Sequence, residues 1–130
     1  MKRILISLII GLTSITASAQ SSSEAPTQNI STDSLVVYRL FSTRNMYTFI
    51  KLNTRNGRMW QVQWGTDSKF RFESILSDIS RVSREEEKNG RFFLYPTTNI
   101  YNFILLDQIN GETWQVQWGK EEDRTVLPIY

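Results

Sequence analysis

The sequence predicts an all-β protein: two tandem four-stranded β-meander repeats, packed as a pseudo-two-fold sandwich or a partly closed barrel. Three observations predict it. First, Asn45 to Gly65 (NMYTFIKLNTRNGRMWQVQWG) aligns without gaps to Asn99 to Gly119 (NIYNFILLDQINGETWQVQWG), an offset of 54 residues, and both copies end in WQVQWG. Second, composition turns β-branched and aromatic from Leu35 onward. All sixteen aromatic residues (seven Phe, five Tyr, four Trp) lie between Tyr38 and Tyr130. Third, apolar residues recur with period two, as in Trp60-Val62-Trp64 and Trp114-Val116-Trp118, the spacing of a strand with two different faces.

The repeat also extends upstream, pairing Leu40-Phe41-x-Thr43 with Leu94-Tyr95-x-Thr97. Repeat one spans 36–76, with strands expected at Val36–Phe41, Tyr47–Asn53, Met59–Trp64 and Lys69–Leu76. Repeat two spans 91–130, with strands at Arg91–Tyr95, Tyr101–Asp107, Thr113–Trp118 and Arg124–Ile129. The connection, 77–90, carries Glu85-Glu86-Glu87 and ends in Asn89-Gly90. Ile79 and Val82 permit a single helical turn there, and the glutamates read as solvated. Pro96 reads as turn punctuation, and Pro128 places the last strand at a sheet edge.

Two hairpin registers are open. A two-residue Asn56-Gly57 turn sets Ile50 and Leu52 on the face of Gln61 and Gln63. A three-residue Arg55-Asn56-Gly57 loop shifts the pairing by one and groups them with Trp60, Val62 and Trp64. Burial favours the second, with bulges at Gly57 and Gly111. The opposite face then carries Tyr47, Phe49, Lys51, Asn53, Gln61 and Gln63, and in repeat two Tyr101, Phe103, Leu105, Asp107, Gln115 and Gln117. Leu105 in place of Lys51 predicts that the second hairpin is covered on both sides and that the first presents an open face.

The N-terminus reads as an export signal over 1–19. Lys2 and Arg3 precede an apolar Ile4–Leu12 run and an Ala17-Ser18-Ala19 cleavage site. The apolar run is shorter than the about 20 residues a membrane span needs. Residues 20–34 are polar and read as a flexible leader to a single β domain, 35–130. Localisation is therefore expected to be periplasmic or extracellular, with no transmembrane segment after cleavage. Of the fifteen basic residues, Lys2 and Arg3 leave with the signal, so thirteen basic residues face thirteen acidic ones. That balance gives no ground for nucleic acid as a partner. Cysteine and histidine are absent, which excludes disulfides, Cys/His zinc sites, Cys nucleophiles and His-based triads.

Leu52-Asn53-x-x-x-Gly57-x-x-Trp60 and Leu106-Asp107-x-x-x-Gly111-x-x-Trp114 resemble the L-D-x-x-x-G-x-x-W hairpin of quinoprotein-type β-propeller blades, with Asn53 departing from the acidic residue. Two blades do not close a propeller by themselves. The wider pattern, Leu94 to Trp118 with its partner copy in which Phe41-Ser42 replaces Tyr-Pro, is similar to small exported proteins of Bacteroidota carrying paired LYPTxN…LLDxxxGxxWQVQW segments. That resemblance implies compartment and architecture and supplies no mechanism.

The candidate ligand-binding residues are Gln61, Gln63, Gln115 and Gln117, beside Tyr47, Phe49, Tyr101 and Phe103. Amides converging over aromatic rings suit a recognition surface. The same residues suit a polar sheet face, or amide pairs buried where the repeats dock. The four tryptophans read as core, with a sugar-stacking platform as the alternative. Asp67, Glu73, Asp107, Glu112 and Asp123 could serve catalysis, but no spacing sets a pair at working distance, and Asp107 suits turn capping. No catalytic residue, metal site or cofactor is assigned. The leading expectation is an exported non-enzymatic binding or interaction module for a ligand or protein partner. Next is a structural or assembly subunit pairing edge to edge with other copies, as an oligomer; third is a small carboxylate-dependent hydrolase.

Overall fold

Two antiparallel meanders follow one another along the chain in the computed structural model, which describes residues 27–31 and 33–130. The first sheet holds β1 (Tyr38–Ser42), β2 (Thr48–Asn53), β3 (Met59–Gln63) and β4 (Phe72–Ser77), side by side in that order. The second repeats the plan with β5 (Phe92–Pro96), β6 (Asn102–Asp107), β7 (Thr113–Gln117) and β8 (Thr125–Ile129). The all-β fold class and the two tandem meanders are as the repeat predicts, as a sandwich of two separate sheets with no closed barrel. Pro128 lies in β8, an edge strand, while Pro96 ends edge strand β5 and pairs with Phe103. The fourth strand of each repeat starts later than expected, because short 3₁₀ turns at Ser68–Phe70 and Glu121–Asp123 precede it.

The hairpin register differs from the expectation. Leu52 pairs with Met59 and Ile50 with Gln61; likewise Leu105 pairs with Trp114 and Phe103 with Val116. The loops thus contain four residues, Thr54–Gly57 and Gln108–Gly111, and Ile50 and Leu52 share a face with the glutamines. Side chains before each loop decide this. Asn53 Oδ1 accepts from Arg55 N at 2.9 Å, and Asp107 Oδ1 accepts from Ile109 N at 3.0 Å and Asn110 N at 3.2 Å. These local bonds wind the chain through a longer turn. Gly57 and Gly111 take positive φ, +84° and +83°, but inside these four-residue loops and not as the expected bulges, since both hairpins pair without a register shift.

Sheet one buries Phe41, Thr48, Ile50, Leu52, Met59 and Gln61. Sheet two buries Phe92, Leu94, Phe103, Leu105, Trp114, Val116 and Trp118. These are opposite faces of the repeat: Ile50 and Leu52 align with Ile104 and Leu106, which are only partly covered, whereas buried Leu105 aligns with Lys51. An exact two-fold would bury matching residues on both sheets. Here the sheets join front to back in one core cluster, with β4 beside β8 and β2 beside β5. Each sheet therefore keeps one open face, and not the first alone. Gln115 is exposed rather than covered.

Polar groups key the packing. Gly119 N donates to Gln61 Oε1 at 2.9 Å. Arg44 donates to the carbonyls of Thr98 and Thr97 at 2.7 and 3.0 Å, and Arg124 Nη1 to Ile75 O at 2.9 Å. In the connection, Ser83 and Glu86 form a capping box on the Arg84–Glu86 turn, and Glu87 meets Arg55 at 3.2 Å, so two of the three glutamates have local partners.

The expected signal segment and most of the leader lie outside the described residues. The described end of the leader is docked on β1: Gln28 exchanges two hydrogen bonds with the Ser42 backbone, at 2.9 and 2.7 Å. Ile30 packs on the core. Among the described residues, no helix is long and apolar enough to cross a membrane.

Candidate functional site

Each repeat builds the same small recess from the same local chemistry. Thr43 Oγ1 donates to Thr48 O at 2.7 Å, and Tyr47 N donates to Asn45 Oδ1 at 2.9 Å. Thr97, Asn102, Tyr101 and Asn99 repeat this at 2.8 and 2.9 Å. These short side chains close the turn between the first two strands and fix where each tyrosine emerges. The tryptophan after the third strand then closes on it. Trp64 N donates to Tyr47 O at 3.0 Å and Trp64 Nε1 to Met46 O at 2.8 Å. Trp118 makes the same two bonds, to Tyr101 O at 3.0 Å and Ile100 O at 3.1 Å. With both indole and backbone N–H tied, each indole ring is held tilted against its tyrosine, centroids 5.1 Å apart in one repeat and 5.2 Å in the other.

The first recess, about 430 Å³, is lined by Tyr47, Gln63, Trp64, Gly65, Thr66 and Phe70. All are uncharged. Gly65 matters sterically, since a Cβ there would stand 2.8 Å from Phe70 Cβ. The second, about 370 Å³, is lined by Tyr101, Gln117, Trp118, Gly119, Lys120 and Asp123. It sits beside the sheet junction, where Arg124 Nε donates to Gly119 O at 2.9 Å. Both recesses offer aromatic surface, one glutamine amide and backbone polar groups. Neither is lined by two carboxylates.

The eight residues singled out from sequence do not form one surface. Tyr47 and Gln63 meet in the first recess, Tyr101 and Gln117 in the second. Gln61 is buried at the sheet junction, Gln115 stands exposed, Phe49 is half-buried on the open face of sheet one, and Phe103 is in the core. The tryptophans divide by sheet as well. Trp114 and Trp118 are core, at 9% and 5% exposure, but Trp60 is half-buried and Trp64 is 43% exposed. One string has two environments because opposite faces are covered. Trp64, expected in the core with a stacking platform as the alternative, lines the first recess, together with Gly65, Thr66 and Phe70, which the sequence does not single out. Their signal was the pairing of T-x-N-x-Y with a W-G that ends the third strand in both copies.

No family model, curated protein or solved structure matches the chain. What the site can do must therefore be read from its own chemistry.

The carboxylates considered for catalysis are spread over separate structural roles. Asp107 meets Arg91 Nε at 2.9 and 3.0 Å, with both side chains almost wholly buried. Burial pushes the Asp107 carboxyl up, but the Arg91 guanidinium and the Ile109 and Asn110 amides outweigh it and hold the group below its ordinary value. Glu73 pairs with Lys51 at 2.6 Å. Asp67 caps the Ser68–Phe70 turn by accepting from Lys69 N, and Glu112 accepts from Asn110 Nδ2. Among the described residues, no group of three or more His, Cys, Asp or Glu side chains could hold a metal ion.

Proposed function

We propose that the chain is an exported, non-enzymatic binding module whose recesses take a small neutral ligand with an apolar face and hydroxyl groups, the chemistry of a sugar ring. One observation carries the reading: the Tyr–Trp–Gln–Gly recess is built twice, by the same hydrogen bonds. A binding surface suits this repetition, since two related recesses present two sites to a repeating ligand. The chemistry fits as well. The tyrosine rings, each 47% exposed against a fixed indole, offer surface for stacking, while the amide and open backbone groups meet hydroxyls. The first recess is uncharged, which favours a neutral ligand there. Lys120 and Asp123 make the second suitable for a charged relative of that ligand. The signal-like N-terminus supports a site of action outside the cytoplasm.

The test is a tryptophan-fluorescence titration of the mature protein with neutral and acidic oligosaccharides, followed by thermal shift. The expected result is a saturable emission change that Trp64→Ala reduces and that Tyr47→Ala weakens. Unchanged emission and an unmoved melting midpoint across the whole series would overturn the sugar reading.

A further inference from the structure

The two open sheet faces correspond, residue for residue, to the two faces already joined inside the chain. On the open face of sheet one, Leu40 is 51% exposed and Tyr38 53%, whereas their equivalents in sheet two, Leu94 and Phe92, are wholly buried at the junction. On the open face of sheet two, Tyr95 is 44% exposed, whereas its equivalent Phe41 is wholly buried. Exposed Gln115 is likewise the counterpart of Gln61, which keys the junction through Gly119 N. Each open face therefore carries the residues of one half of an interface whose other half lies on the far side of the same chain.

We infer that the open face of β1–β4 in one copy seats on the open face of β5–β8 in a second copy, closing a ring of sheets. The contact is heterologous, so it repeats from chain to chain and ends only when the rotation closes. Inside the chain β4 lies beside its equivalent β8, and β2 beside β5, the neighbour of its equivalent β6, so the two sheets stay nearly in step, as a radial arrangement requires. Rings of four-stranded sheets typically close at four to eight, which corresponds to roughly two to four copies. Such a ring covers Ile75, Leu127 and Ile129 together with Leu40 and Tyr95, apolar surface that a solitary chain would leave in water. The partner is thus a second copy, met face to face and not edge to edge.

Lys51 is the main departure, since its equivalent Leu105 is buried. Its charge is already met on the open face. Glu73 lies 2.6 Å away, and the ammonium sits 5.6 Å and 5.1 Å from the Tyr38 and Trp60 ring centroids. A pre-paired charge can be covered without leaving an isolated ion. Closure also leaves the recesses open: Trp118 is 5% exposed under the first sheet, yet its recess remains. Trp64 would reach that same state.

The test is the mass of the mature protein by light scattering and native mass spectrometry, at tens of micromolar. One discrete oligomer of two to four copies is expected. Leu40→Glu and Tyr95→Glu each block one half of the contact, and each alone should be monomeric. Mixed in equal amounts, they retain one intact half each and should form a one-to-one dimer and nothing larger. Both positions are half-exposed in the monomer, and a cooperative urea transition checks that each variant folds. Ile75→Glu with Leu127→Glu is the second pair should either of the first fail to fold. A wild-type monomer, a blocked variant that keeps the wild-type mass, a mixture that stays monomeric, or open filaments would each overturn the inference. The ligand reading is separable, because the monomeric Tyr95→Glu protein retains the Tyr47–Trp64 recess and can be titrated with the same oligosaccharides.

Discussion

Replacing Asp107 with alanine tests the polar core most directly, because the repeat supplies its own control. In sheet two the Asp107 carboxylate is buried against Arg91, whose side chain is 6% exposed, and it also accepts two loop amides. Removing it leaves the guanidinium with the Glu86 carbonyl at 2.8 Å, a partner that carries no charge. Breaking a buried ion pair from one side costs about 3–5 kcal/mol, because the remaining charge is uncompensated. In sheet one the equivalent residue is Asn53, which caps its loop by accepting from Arg55 N, and Val37 stands where Arg91 would be. Asn53→Ala should therefore cost only about 0.5–1.5 kcal/mol, the net worth of a turn hydrogen bond. The assay is urea denaturation of the protein, with all variants at one protein concentration. Domains of this size have about 5–15 kcal/mol in total, so the midpoint should fall conspicuously for Asp107→Ala and slightly for Asn53→Ala. If the two variants lay within about 1 kcal/mol of each other, the ion pair would be contributing nothing beyond a turn cap, and the reasoning would fail.

Four further outcomes follow from the same geometry. Asp107 has a depressed folded-state value, so its contribution is full above the ordinary aspartate range near pH 4 and is lost as pH falls through the lower folded value. Urea midpoints measured from pH 7 to pH 2 should show this acid loss in the wild type, and the part of it owed to Asp107 should vanish in Asp107→Ala. Gly57→Ala and Gly111→Ala both force positive φ on a side chain, at a cost of about 1–2 kcal/mol. Thermal melts should place Gly57→Ala lower, since its Cβ meets Arg81 Cδ at 3.1 Å and that of Gly111 meets nothing within 4 Å. Gln61→Ala takes the acceptor from Gly119 N at the sheet junction and should cost about 1–3 kcal/mol by urea titration. Leu105→Ala should cost about 2–5 kcal/mol, whereas Lys51→Ala at the aligned position should cost under about 1 kcal/mol in a monomeric Tyr95→Glu background.

The candidate site was only partly legible in the residues. Tyr47, Gln63, Tyr101 and Gln117 could be named because alternation and repetition mark them, and they do line the two recesses. Gln61 and Gln115 could not be told apart, since their different surroundings come from which side of the strand another sheet covers. Phe70 escaped notice because it reaches the recess from a 3₁₀ turn, with no periodicity to mark it.

The repeat by itself determined the all-β class, the eight strands and their order, the loop glycines with positive φ, and the turn chemistry that places each tyrosine. All of these are local: an alternation of side chains, a Gly that tolerates left-handed backbone, an Asn or Asp that binds the next amides. Tertiary structure decided the rest. WQVQW carries two faces of nearly equal claim to burial, one of Trp and Val and one of Gln supported by Ile and Leu on the neighbouring strand. A sandwich can cover only one face of each sheet, and front-to-back packing covers the Gln side of the first and the Trp side of the second. Identical strings therefore ended with Trp118 in the core and Trp64 at the surface, a choice that depends on contacts far apart along the chain.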